Sequence, residues 1–294
     1  MSTLVGAATG VPRTLIMGIV NVTPDSFSDG GRFAAADDAI AHGMLLASQG
    51  ADWVDVGGES TRPGAARIDP SAELERVLRV VQELASAGVA VSIDTLNAST
   101  ALRAVEVGAR LVNDVSGGLS DPAMLAAMRI ASAEYGADVA LGHWRGQSSD
   151  MYARAHYGDV AAEVAAELLG RADAAIAAGI EASRIVLDPG IGFAKEGAQN
   201  WAVLAALPGL VASGYRVLVG TSRKKFLGTL LGEHDEPAHR DLATAATSVL
   251  AARDGAWAVR VHDVESTRIA LAVAGAWQSG ARAVDPEESP HGQA

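Results

Sequence analysis

Three observations predict a closed (β/α)8 TIM barrel: eight short apolar runs rich in Val, Ile and Leu, Ala-rich helix-like stretches alternating with them, and polar residues gathered at the carboxyl end of each run. A parallel strand buried on both faces reads as a nearly continuous apolar run, and its crossover to the next strand needs a helix. An open doubly wound sheet also carries polar groups at strand ends, so closure rests on the count of eight.

In chain order the strands are expected at 15–21, 53–58, 89–95, 111–116, 138–143, 185–189, 216–222 and 258–264. The helices between and after them fall at about 37–49, 71–87, 99–107, 122–135, 160–178, 200–212, 240–253 and 265–277. Five helices run into a glycine, at Gly50, Gly88, Gly108, Gly136 and Gly179, where a left-handed C-cap is expected. The first strand ends on Asn21, the second carries Asp55, the third Asp94, and the fourth Asn113 and Asp114. His143, Asp188, Ser222, and then Arg260 with His262 follow in the remaining four, which sets all of these groups around one mouth of the barrel. Taken singly, an Asp or Asn there could simply open a loop and cap the next helix. Residues 14–280 read as one domain between flexible ends at 1–13 and 281–294, and 232–239 reads as an exposed loop.

Apolar residues make up 49% of the 294, enough for a sizeable core. A net charge of −12 argues against nucleic-acid or anionic-membrane partners, which need clustered Lys and Arg. The chain has no Cys, so disulfides, thiolate metal sites and Cys nucleophiles are excluded. With no secretory leader pattern and no long uncharged apolar run, a soluble cytoplasmic protein is expected.

After the first strand, Asn21-Val22-Thr23-Pro24-Asp25-Ser26-Phe27-Ser28-Asp29-Gly30-Gly31 is too rich in Pro, Gly, Ser and Asp to continue a helix or strand. It reads as a lid over a substrate, or as a solvated turn with an incidental Phe27. The second strand runs into Gly57-Gly58-Glu59-Ser60-Thr61-Arg62-Pro63-Gly64, where glycines admit a ligand and a hydroxyl stands beside a guanidinium. That combination suits phosphate oxygens, the alternative being a Gly-rich turn with a surface Arg. Asp94 and Asp188 each follow apolar strand residues, and buried carboxylates need partners; adjacent N–H donors of a 2-amino-pyrimidinone edge would supply them, with Asn113 reading further ring positions. Arg223-Lys224-Lys225 is either a solvated charge run or a phosphate site. Alternation puts Arg260 and His262 on one side of the last strand as two stacked donors.

These motifs, in this order and spacing and together with Asp188-Pro189-Gly190-Ile191-Gly192-Phe193, resemble the dihydropteroate synthase family over residues 15–277. The resemblance implies condensation of 6-hydroxymethyl-7,8-dihydropterin diphosphate with 4-aminobenzoate, assisted by Mg2+, and a target for sulfonamides. Asn21 then corresponds to the protein ligand of the Mg2+, and Thr61, Arg62, Arg260 and His262 to the diphosphate cradle. Asp94, Asn113, Asp188 and Lys224 correspond to the pterin readers, and Phe27, Asp29, Pro63, Phe193 and Ser222 to the wall of the aminobenzoate site. Arg260, His262, Lys224 and Asp94 are the residues expected to carry the chemistry, and a homodimer through outer helices is implied. One departure stands out: Gly142 replaces the Met that the family usually carries before the fifth-strand His, so weaker pterin binding than in Gly142→Met is expected unless Trp144 refills the space. Two other readings are a pterin-dependent methyltransferase, which needs no diphosphate cradle, and a non-catalytic pterin-binding paralogue, which needs neither loop.

Overall fold

The computed structural model describes residues 13–22, 32–59, 67–146 and 151–284. Eight parallel strands close into a barrel in sequence order, β1 pairing with β8. The elements are β1 (Leu15–Asn21), α1 (Arg32–Gln49), β2 (Trp53–Gly57), α2 (Pro70–Ser86), β3 (Val91–Asp94), α3 (Ala98–Glu106), β4 (Leu111–Asp114), α4 (Met124–Tyr135) and β5 (Asp138–Gly142). They continue with α5 (Val160–Ala177), β6 (Ile185–Asp188), α6 (Gly197–Ala205), α7 (Leu207–Val211), β7 (Arg216–Val219), α8 (Lys225–Leu231), α9 (Pro237–Arg253), β8 (Ala258–Val261) and α10 (Val264–Val284). The five glycines expected to end helices all take positive φ.

Two helical expectations need correction. The stretch 200–212 is two helices, because Pro208 has no N–H to continue the ladder and starts a new turn. The helix expected from about 240 starts at Pro237, which shortens the expected loop at 232–239 to one holding a 3-10 turn at Gly232–His234, and Lys225–Leu231, of which the expected charge run covers only Lys225, is a short helix. Most strands also stop one to three residues earlier than expected, where the chain bends into the loops of the mouth.

Strand alternation divides the side chains into two layers. Outward-facing Val20, Val56, Ile93, Val112, Leu141, Leu187 and Val261 join the larger core beneath the helices, with Val77, Leu84, Met128 and Leu168. Each fully buried side chain of this kind contributes about 1.5–3 kcal/mol. Inward-facing Met17, Leu111, Ala140, Val186, Leu218 and Ala258 fill the lower barrel, floored by Trp53 and Trp257 edge to face at 6.3 Å. Two residues further along the same faces come Asp55, Asn113, Gly142, Asp188, Gly220 and Arg260, and Asp94 lies two beyond the inward Ser92. The polar site is therefore the layer stacked directly on an apolar plug.

Candidate active site

Arg260 crosses the mouth from β8 to two acids. Its Nε donates to Asp55 Oδ2 at 2.5 Å and its Nη2 to Asp94 Oδ2 at 2.7 Å. Asn113 also donates to Asp55 Oδ2, at 3.2 Å. The second oxygens, Asp55 Oδ1 and Asp94 Oδ1, are buried with no hydrogen-bond partner among the described residues. Burial pushes the Asp94 carboxyl up to about 7, with Arg260 pulling it back and Asp55 pushing it further. For Arg260 burial acts downward, but the attraction of Asp55 and Asp94 outweighs it and holds the guanidinium above its ordinary value. The pair is a fixed cation flanked by acids with spare acceptor capacity. Glu59, just after β2, and Glu73, in the first turn of α2, also keep one buried oxygen each without a partner among the described residues.

Beside this cluster Asp188 accepts the Gly190 N–H at 2.8 Å, and burial pushes its carboxyl up against the pull of Lys224. Burial in turn lowers Lys224 to about 8, with Asp188 opposing. The Lys224 ammonium donates to the Ile191 carbonyl and lies 4.8 Å from the centre of the half-buried Phe193 ring. Ser222 Oγ accepts the His262 backbone N–H at 3.1 Å and stands 2.9 Å from His262 Nδ1. The hydroxyl oxygen has a second lone pair and one hydrogen, so either it or Nδ1 can donate in this contact, according to the imidazole tautomer. Ser222, expected as wall, is thus bonded to both the backbone and the ring of His262.

The strand-end groups do not all share the mouth's interior. Asp114 and His143 sit one residue out of phase with the inward layer. Asp114 accepts the N–H groups of Ser116 and Gly118 at 2.7 and 2.6 Å and shapes its own loop. His143 Nε2 meets Glu167 of α5 at 2.9 Å. The expected space at Gly142 is occupied by backbone: a Cβ there would lie 2.4 Å from the Val115 carbonyl oxygen. Asp55 and Lys195 were given no role by sequence reasoning. Asp55 was visible as a strand-end acid, whereas Lys195 carried no signal beyond being a charge in an apolar, Gly-rich stretch.

Asn21 is the exposed last residue of β1, in register with Gly57. The described residues hold no group of three or more His, Cys, Asp or Glu that could cage a metal. A single amide oxygen suits a hard ion that keeps most of its ligands as water and phosphate oxygen. Thr61, Arg62, Phe27, Asp29 and Pro63 lie outside the described residues.

The pterin-binding enzyme family model matches residues 17–262. The dihydropteroate synthase of Mycobacterium leprae is 53% identical over 89% of this chain and 93% of its own length. Two solved structures of the Xanthomonas albilineans dihydropteroate synthase superpose closely. The one with 4-aminobenzoic acid gives a TM-score of 0.82 at 43% identity, covering 93% of this chain and 94% of the other. The complex with 7,8-dihydropteroate gives 0.79 at 40%, covering 93% and 95%. Whole-length agreement in sequence and in the closed barrel, with strand-end acids and basic groups converging on one mouth, makes this chain a member of the dihydropteroate synthase family of pterin-binding enzymes.

Proposed function

We propose that the chain condenses 6-hydroxymethyl-7,8-dihydropterin diphosphate with 4-aminobenzoate to give 7,8-dihydropteroate and pyrophosphate, the step its family performs in folate biosynthesis. The observation that carries the assignment of residues is Arg260 held between Asp55 and Asp94, each acid with an oxygen to spare. A pterin offers adjacent N–H donors, which Asp94 and Asp188 accept, while Asn113 and Lys224 read the remaining ring edge. Phe193 and Ser222, with Phe27, Asp29 and Pro63, form the aminobenzoate wall.

Chemistry proceeds by displacement at the exocyclic CH2. The C–O bond breaks with its electron pair leaving on the diphosphate, and the ring shares the positive charge that develops on the carbon. Buried acids favour that cation, because charge interacts strongly where water is excluded. Arg260 Nη1, His262, Thr61 and Arg62 hold the departing pyrophosphate. The aromatic amine then forms the C–N bond and loses a proton. Mg2+, held by Asn21 with diphosphate oxygens and water, would neutralise leaving-group charge when bound.

Among the described residues no helix is long and apolar enough to cross a membrane, and we read the protein as cytoplasmic. Exposed Leu242 and Leu250 on α9 and Ile269, Val273 and Trp277 on α10 support a homodimer through these helices. The test is a pyrophosphate assay with both substrates and with 4-aminobenzoate omitted. Rapid release with both and slow release without the amine is expected. Pterin binding without turnover would instead identify a non-catalytic paralogue.

A further inference from the structure

Lys195 is 1% exposed, and its charge has no part in the chemistry above. Its ammonium donates to the Gly190 carbonyl at 3.0 Å, the Phe193 carbonyl at 3.1 Å and His143 Nδ1 at 2.9 Å. Three donors meet three acceptors, the full complement of a protonated lysine. His143, accepting at Nδ1, carries its proton on Nε2 and gives it to Glu167, which Arg145 grips by Nε at 3.1 Å. Arg145 in turn stacks 3.9 Å over the Tyr157 ring, and the Tyr157 hydroxyl donates to the Ala194 carbonyl at 2.9 Å. The arc 190–195 is thereby tied at Gly190, Phe193 and Ala194 from the helix side. From the mouth side Lys224 ties the carbonyl between them, at Ile191. The arc is held close to its neighbours in an uncommon conformation: Gly190 has φ +62, and a Cβ there would lie 2.4 Å from the His143 carbonyl oxygen. Ala194 also takes a positive φ, of 48°, a strained value for a residue with a Cβ.

We infer that Lys195 is a positioning residue for the second substrate: through His143, Glu167 and Arg145 it fixes the arc that sets the Phe193 ring beside the Lys224 ammonium. The inference rests on the functional reading above and deepens it. Lys195 touches no substrate; it acts on the place where the aminobenzoate ring is held. Burial lowers the Lys195 ammonium to about 7, against the attraction of Asp188 and with Lys224 and Arg145 repelling it, which fits a cation held in place by carbonyls and not by a contacting carboxylate.

The test compares Lys195→Met, which keeps the volume and removes the donors, with Glu167→Leu, which cuts the relay at its half-exposed end. In Lys195→Met the KM for 4-aminobenzoate is expected to rise about tenfold, with the KM for the pterin diphosphate within about twofold of wild type. Glu167→Leu is expected to raise the same KM about threefold, and it decides the question if Lys195→Met does not fold. Amide hydrogen exchange over 190–195, read without substrates, is expected to speed up about tenfold in Lys195→Met and less in Glu167→Leu. Thermal midpoints that fall while both KM values and the exchange of this arc stay at wild-type levels would mean a merely structural lysine and overturn the inference. Wild-type enzyme that makes no dihydropteroate would defeat the functional reading, and this inference with it; active wild type with unchanged variants defeats this inference alone.

Discussion

Two clusters of buried charge lie on opposite faces of the same strand ends, and they are finished to different degrees. On the interior face Arg260 bonds Asp55 and Asp94, yet each acid keeps one buried oxygen without a partner among the described residues. On the outer face Lys195 has all three ammonium hydrogens placed, and both nitrogens of His143 are engaged. A buried unsatisfied group costs about 1–3 kcal/mol, a cost the interior cluster bears and the outer one does not. The difference separates binding surface from scaffold: spare valence faces the ligand, and saturated valence holds the frame around it.

The largest test of that contrast is Arg260→Ala. It removes the cation that bonds two buried acids, and kcat/KM for pyrophosphate release is expected to fall about a thousandfold, on the scale of losing a group that stabilises the leaving charge. A loss below tenfold would take Arg260 out of the chemistry and leave the interior cluster as scaffold too. Next comes Gly142→Met, which the sequence alone marks as a way to tighten pterin binding. Because the Val115 backbone already occupies that position, the variant is expected to lose about 1–3 kcal/mol of unfolding free energy by overpacking and to gain no pterin affinity. Tighter binding by calorimetry, at unchanged stability, would show that the β4 loop gives way freely.

The smallest effect is the most selective, since Asp94 and Lys195, one from each cluster, tilt the pH dependence of stability in opposite directions. Asp94 keeps its proton to about pH 7 in the fold against 3.8 for a free carboxyl. Between those values the folded state binds more protons, and stability falls as pH rises. Lys195 loses its proton near 7 in the fold against 10.5 for a free amine, so from there upward the unfolded state binds more and stability rises. Urea midpoints against pH should show a shallower falling limb in Asp94→Asn, where Asp188 still contributes, and a shallower rising limb in Lys195→Met, where Lys224 still contributes. Both variants altering one limb would mean that the clusters titrate as a single unit.

The barrel was legible because eight apolar runs and their crossovers leave a periodic trace that local composition carries. The interior acids were legible for the same reason, as polar residues interrupting apolar strands. Which face each occupies was less so: His143 and Asp188 both look like strand-end groups, and only counting alternate residues from the inward Ala140 and Val186 separates them. Arg260's pairing with Asp55 joins positions far apart in sequence, and no spacing rule predicts it. Lys195 was illegible on physical grounds. A charge after Phe193-Ala194 ordinarily points to water, and here a positive φ at Ala194 turns the chain so that it points inward. The break at Pro208 was written in the sequence by its missing N–H.

Because each strand end serves the ligand with one residue and the frame with the next, length within β5 and β6 is far less negotiable than length in the loops. One residue inserted before Gly142 or Asp188 would exchange the two faces: the imidazole of His143 would enter the cavity, or the carboxylate of Asp188 would turn toward the helices. Genetic drift in this barrel should therefore move freely by substitution and by loop insertion, while single-residue gaps in these strands should be absent from any functional descendant.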